Sequence, residues 1–80
     1  MKYLNRFKDM REDRDLKLKD IAKVLGTSAQ YYHKYEKGTR PITVERLNIL
    51  ADFYGTSVDY LLGRTDQKEP YPKSNREILE

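Results

Sequence analysis

Cysteine and tryptophan are absent from the 80 residues, and histidine occurs once, at His33. Without cysteine, neither a disulfide nor a thiolate zinc site can support the fold. One histidine is too few for a metal site built on imidazoles, so no metal and no cofactor are expected. Long apolar runs are missing too. Uncharged apolar stretches reach only four or five residues, against the ~20 that a bilayer span needs. The first residues, Met1-Lys2-Tyr3-Leu4-Asn5-Arg6, run into charge rather than an apolar core. No secretory leader is expected there, and a cytoplasmic setting is. What the length allows is one small domain that hides little more than ~60% of its unfolded surface.

Charge is plentiful, at 36% of residues with a net +3, and the isoelectric point is 9.2. It is unevenly spread: residues 1–40 carry 11 Lys/Arg against 6 Asp/Glu, and residues 41–80 carry 5 against 7. A basic half suits a polyanion such as nucleic acid, or another anionic surface. It equally suits a small domain staying soluble, so charge by itself leaves both open.

Apolar residues up to position 63 recur at helical spacing, without sustained alternation. Leu4, Phe7 and Met10 mark a first amphipathic helix. Leu18, Ile21, Ala22 and Leu25 mark a second, stopped by Gly26. Ser28 can cap a third, with Tyr32 and Tyr35 on its inner face and Gly38 at its end. Pro41 pushes Arg40 out of helical conformation. Thr43 then caps a fourth stripe, Val44, Leu47, Leu50, Ala51 and Tyr54, which ends at Gly55. Ser57 caps a last short helix with Val58, Leu61 and Leu62, and Gly63 closes it. The expectation is an all-α domain of five short helices over residues 1–63. Residues 64–80 are polar and proline-containing, and read as a tail without enough apolar surface to order itself.

Catalytic motifs are lacking: there is no GxSxG elbow, P-loop, GxGxxG or HExxH. Asp13 and Asp15 sit in a charged turn that suits solvated surface better than acid/base work. An enzyme is the poorest reading. The informative segment is 17–40. Its small Ala22 lets two helices approach closely, and Gly26 permits the φ > 0 conformation of a sharp corner. With Tyr32 and Tyr35 turned inward, Ala29, Gln30, Tyr31, His33, Lys34 and Lys37 fall on the outer face of the third helix. That face is polar and cationic, and carries an amide suited to adenine. His33 suits either a ligand contact or plain solvent exposure.

This pattern resembles the Cro/phage-repressor-type (XRE-type) helix-turn-helix DNA-binding family. The matching positions are Arg11, Leu16, Ile21-Ala22, Leu25-Gly26-Thr27-Ser28, Tyr35-Glu36-Lys37-Gly38 and Thr43 to Leu47. They continue through Ala51-Asp52-Phe53-Tyr54-Gly55 and Ser57 to Gly63. The resemblance implies a lambda-repressor-like fold in which residues 28–37 enter the major groove. Base contacts then fall to Ala29, Gln30, Tyr31, His33 and Lys34. Phosphate contacts fall to Lys17, Lys19, Ser28, Lys37, Thr39, Arg40 and Thr43, and Arg11 and Glu36 match a partly buried ion pair. The implied function is a sequence-specific transcriptional regulator, a repressor bound as a homodimer to a two-fold-symmetric operator on double-stranded DNA in the bacterial or phage nucleoid.

Two departures from the family pattern matter. Lys17 and Leu18 stand where a Ser/Thr cap and a glutamine are common, and Leu18 cannot hydrogen-bond a phosphate. Ala29 can meet a thymine methyl but offers no polar pairing. Phe53, Tyr54, Val58, Tyr60, Leu61 and Leu62 are more apolar surface than two short helices need, so a dimer interface is expected among them. The alternative reading is an antitoxin-like or adaptor module that binds another protein through the tail, anchored by Tyr71, Ile78 and Leu79.

Overall fold

Hydroxyl side chains start three of the helices. Ser28 Oγ accepts from the Tyr31 amide at 3.1 Å, Thr43 Oγ1 from Arg46 at 3.2 Å and Ser57 Oγ from Tyr60 at 3.0 Å. Each oxygen satisfies an amide that the first helical turn leaves unpaired. The computed structural model describes residues 5–70, and among them the elements are five helices and no strand. They are α1 (Phe7–Asp13), α2 (Leu18–Leu25), α3 (Ala29–Lys37), α4 (Val44–Tyr54) and α5 (Val58–Leu61). The architecture is all-α, with the five short helices that were expected. Leu4 lies outside the described residues, so the stripe of α1 is read from Phe7 and Met10, both buried.

The corner between α2 and α3 turns at Gly26, whose φ is +72°. There the Gly26 amide donates to Lys23 O and the Thr27 amide to Ala22 O, at 3.2 and 2.9 Å. An added Cβ would touch nothing within 4 Å, so glycine is favoured by its backbone alone. Ala22 is buried beside this corner, and α2 packs against α3. At the start of α2 Lys17 supplies no side-chain cap. Instead Asp20 Oδ2 accepts from the Lys17 amide at 2.8 Å, which is half of a capping box.

The core gathers Phe7, Met10, Ile21, Ala22, Leu25, Tyr32, Tyr35, Leu47, Leu50, Ala51, Tyr54 and Leu61. Three expectations need correction. Val44 is 74% exposed, because it sits in the first turn of α4 where no neighbouring helix covers it. Tyr54 and Leu61, expected at a dimer interface, are 2% and 0% exposed and fill this chain's own core. Composition suggested a loose chain after Gly63, yet polar groups hold its first residues. Arg6 Nη1 donates to Tyr60 O and Thr65 O at 2.6 and 2.7 Å, and Arg6 Nη2 to Asp66 at 2.8 Å. The Arg6 guanidinium also lies 4.1 Å from the Tyr60 ring centroid, and Thr56 Oγ1 donates to Lys68 O.

Candidate nucleic-acid interface

Four side chains of α3 are exposed on one stripe: Gln30, His33, Lys34 and Lys37. Their spacing of three, four and seven residues puts them on one helix face. The opposite face buries Tyr32 and Tyr35. Glu36 is the single acid of α3, and its side chain is only 3% exposed. It points away from the stripe and takes a fork from α1: Arg11 Nε donates to Oε2 at 2.7 Å and Nη2 to Oε1 at 3.1 Å. Arg11 Nη1 also donates to Leu16 O at 3.0 Å. Glu36 raises the Arg11 pKa against the opposing effect of burial. With its acid committed inside, α3 presents Lys34 and Lys37 outward with no carboxylate beside them on that helix. The helix end is therefore cationic.

Two members of the expected base-reading set sit differently from the rest. Ala29 and Tyr31 are half-buried and pack on the core. The Tyr31 ring meets Tyr35 edge-on, with centroids 5.5 Å apart. Its outer side is flanked by cations, Arg40 at 5.3 Å and Arg46 at 5.7 Å from the centroid. Gln30, His33 and Lys34 remain together on the exposed stripe. Arg46 went unnoticed in the sequence because it lies six residues beyond Arg40, in a helix read only for its apolar stripe. An arginine three residues after a capping threonine was the available signal.

The expected phosphate contacts surround this face in chemically distinct states. Lys17, Lys19, Lys37 and Arg40 are exposed, and none makes an ion pair among the described residues. Ser28 and Thr43 use their oxygens as acceptors in capping, which leaves each hydroxyl proton free to donate. Thr39 Oγ1 instead donates to Lys34 O at 3.4 Å, so its proton is already engaged. Of the apolar residues expected at an interface, Phe53 is 41% exposed, and Val58, Tyr60 and Leu62 are half-buried. Tyr71, Ile78 and Leu79 lie outside the described residues.

A helix-turn-helix family model matches residues 7–61. The chain belongs to the XRE-type helix-turn-helix family. The helix-turn-helix proper is the α2–Gly26–α3 unit just described. A similar protein is the uncharacterized HTH-type transcriptional regulator YobD of Bacillus subtilis, 35% identical over 77 residues that make up 96% of this chain and 67% of YobD. The HTH-type transcriptional regulator AnsR of the same organism is 37% identical over 71 residues, 89% of this chain and 61% of AnsR. The cryptic phage CTXphi transcriptional repressor RstR of Vibrio cholerae is 31% identical over 64 residues, 80% of this chain and 58% of RstR. The chain thus spans about two thirds or less of these relatives' lengths. No solved structure matches it.

Proposed function

We propose that this domain is the DNA-reading part of a transcriptional repressor, with α3 lying in the major groove of double-stranded DNA. The observation that carries the reading is the exposed stripe of Gln30, His33, Lys34 and Lys37 on a helix whose acid is sealed inside. A glutamine amide can pair with adenine, and a lysine can donate to the acceptors of guanine. Lys17, Lys19, Lys37 and Arg40 supply the sequence-independent attraction to phosphates, joined by the donor hydroxyls of Ser28 and Thr43. The relatives support the regulatory role by their names, and RstR supports repression. The setting is the cytoplasm, at the nucleoid.

A nine-residue recognition helix reads only a few base pairs, so a specific site needs two copies about one helical turn apart. The domain accordingly acts as a homodimer on a two-fold-symmetric operator. Phe53, 41% exposed on α4, is the apolar side chain that would join the copies, with the half-buried Val58 and Tyr60 of α5. In vitro selection from a random duplex pool tests all of this at once. The expected product is an enriched site with inverted half-sites about one turn apart. A pool that never enriches, or binding equal on selected and scrambled duplexes, would sink the reading.

A further inference from the structure

Arg46 occupies the first turn of α4, half-buried, with its amide capped by Thr43. Its Nη1 donates to Tyr35 Oη at 2.7 Å, and its guanidinium carbon lies 5.7 Å from the Tyr31 centroid and 6.0 Å from that of Tyr35. Arg40, from the loop before α4, lies 5.3 Å from the same Tyr31 centroid. Two guanidiniums therefore share one ring. Neither forms an ion pair with a carboxylate among the described residues, although Glu45 is the neighbour of Arg46 in sequence. Like charges gathered on one ring repel, and no carboxylate among the described residues pairs with either of them.

The ring also has a telling place. Tyr31 and Lys34 are three residues apart on α3, so the pair of guanidiniums borders the exposed stripe on the side facing α4. A DNA strand running along that edge of the groove would bring phosphates to both. Arginine suits this because its planar fork keeps donors to spare after one hydrogen bond is made. Arg46 uses Nη1 on Tyr35, leaving Nη2 and Nε.

We propose that Arg46 is a DNA-backbone contact, forming with Arg40 a two-guanidinium phosphate clamp braced on the Tyr31 ring. This rests on the DNA-binding reading above. The bland alternative is that Arg46 only ties α4 to α3 through Tyr35.

Arg46→Gln removes the charge while retaining an amide donor, and Tyr35→Phe removes the tie while retaining the charge. Binding of both variants and the parent to a duplex of scrambled sequence is measured across a salt series, with thermal melts alongside. For Arg46→Gln the slope of log K against log salt should become shallower by about 0.9 per protomer. Between ~50 and ~200 mM salt that is a ~3.5-fold smaller loss of affinity per protomer, on top of weaker binding at low salt. Tyr35→Phe should keep the parent slope. An unchanged slope in Arg46→Gln, or the same loss in Tyr35→Phe, would show that Arg46 is a tie and nothing more. If the parent itself shows no salt-dependent binding to any duplex, the DNA-binding reading fails first. The parent protein gives an independent readout should Arg46→Gln not fold: the Arg46 Nε–H resonance should shift on adding duplex, and a resonance that stays put overturns the proposal.

Discussion

Replacing Arg11 with methionine should cost about 3 kcal/mol or more, because the partner left behind cannot reach water. The Glu36 side chain is 3% exposed and the Arg11 side chain 12%. Arg11 supplies both hydrogen bonds to that carboxylate and a third to Leu16 O. Deleting one member of a buried pair costs ~3–5 kcal/mol, mostly through the uncompensated charge. A chain of this length holds only ~4–12 kcal/mol in total, and ~4–8 °C of melting temperature goes with each kcal/mol. Arg11→Met should therefore lower the midpoint by ~12–24 °C in a thermal melt followed by circular dichroism. Glu36→Gln should cost less, since its amide can still accept a hydrogen bond from Arg11. Replacing both residues, Arg11→Met with Glu36→Leu, should recover most of the loss, because two apolar groups leave no buried charge. A drop of only a degree or two for Arg11→Met, or a double variant no better than the single, would refute the reasoning.

Gln30→Ala should relax preference at one or two base pairs of the selected site, by ~1–3 kcal/mol, and leave binding to scrambled duplex nearly intact. Arg40→Ala should weaken both and make the salt slope shallower by ~1 per protomer; the reverse pattern in paired isotherms would overturn the roles. Alkaline melts should show stability falling above pH ~10, where tyrosines of the unfolded chain ionise. Burial pushes the Tyr54 phenol up to about 12 and the Tyr32 phenol higher still, with the nearby Glu36 carboxylate adding to both. The sign follows: the folded state holds the protons longer, so stability is complete below pH ~10 and is lost as pH rises through the folded values, by up to ~1.4 kcal/mol per pH unit for each tyrosine. Tyr54→Phe should flatten part of that fall, and since its hydroxyl closes no hydrogen bond among the described residues, it should cost little at neutral pH. Phe53→Ser should leave the melting temperature near the parent's, because the ring is 41% exposed, while weakening the proposed homodimer in sedimentation.

The five helices were legible because every signal for them is local. Ser28, Thr43 and Ser57 cap the turns that follow them, Gly26, Gly38 and Gly55 adopt positive φ at helix ends, and the apolar spacing names the buried faces. What stayed illegible depends on neighbours distant in sequence. Val44 has the spacing of a core residue but lies past the edge of its partners. Tyr54 and Leu61 looked like surplus apolar surface, yet the small core needs both. Arg6 binds Thr65 and Asp66 across 59 and 60 residues of sequence, which no composition reading of a polar tail can anticipate. For the candidate site, periodicity divides α3 into inner and outer faces, and it leaves residues on the boundary undecided. Tyr31 is such a residue, and the cations of the following loop and helix draw its ring to the side.

Nine residues are too few for a helix to be stable in isolation, so α3 owes its position to ties from elsewhere in the chain. The Ser28 hydroxyl caps it at one end, and at the other Asn5 Nδ2 donates to Tyr35 O at 3.2 Å. Arg11 of α1 grips Glu36, and Arg46 of α4 grips the Tyr35 hydroxyl. All of these contacts leave the face of Gln30, His33, Lys34 and Lys37 clear. On the proposed function, holding and reading fall to opposite sides of one helix. The Arg11–Glu36 pair makes none of the proposed DNA contacts, so a substitution there should act on DNA binding only through the population of folded protein. Arg11→Met should reduce the apparent affinity for the selected site steeply as its own melting range is approached. Well below that range it should bind nearly as the parent does, with the same sequence preference and the same salt slope. A change of preference at low temperature would mean that the Arg11–Glu36 pair sets the angle of α3 in the groove and does more than keep it folded.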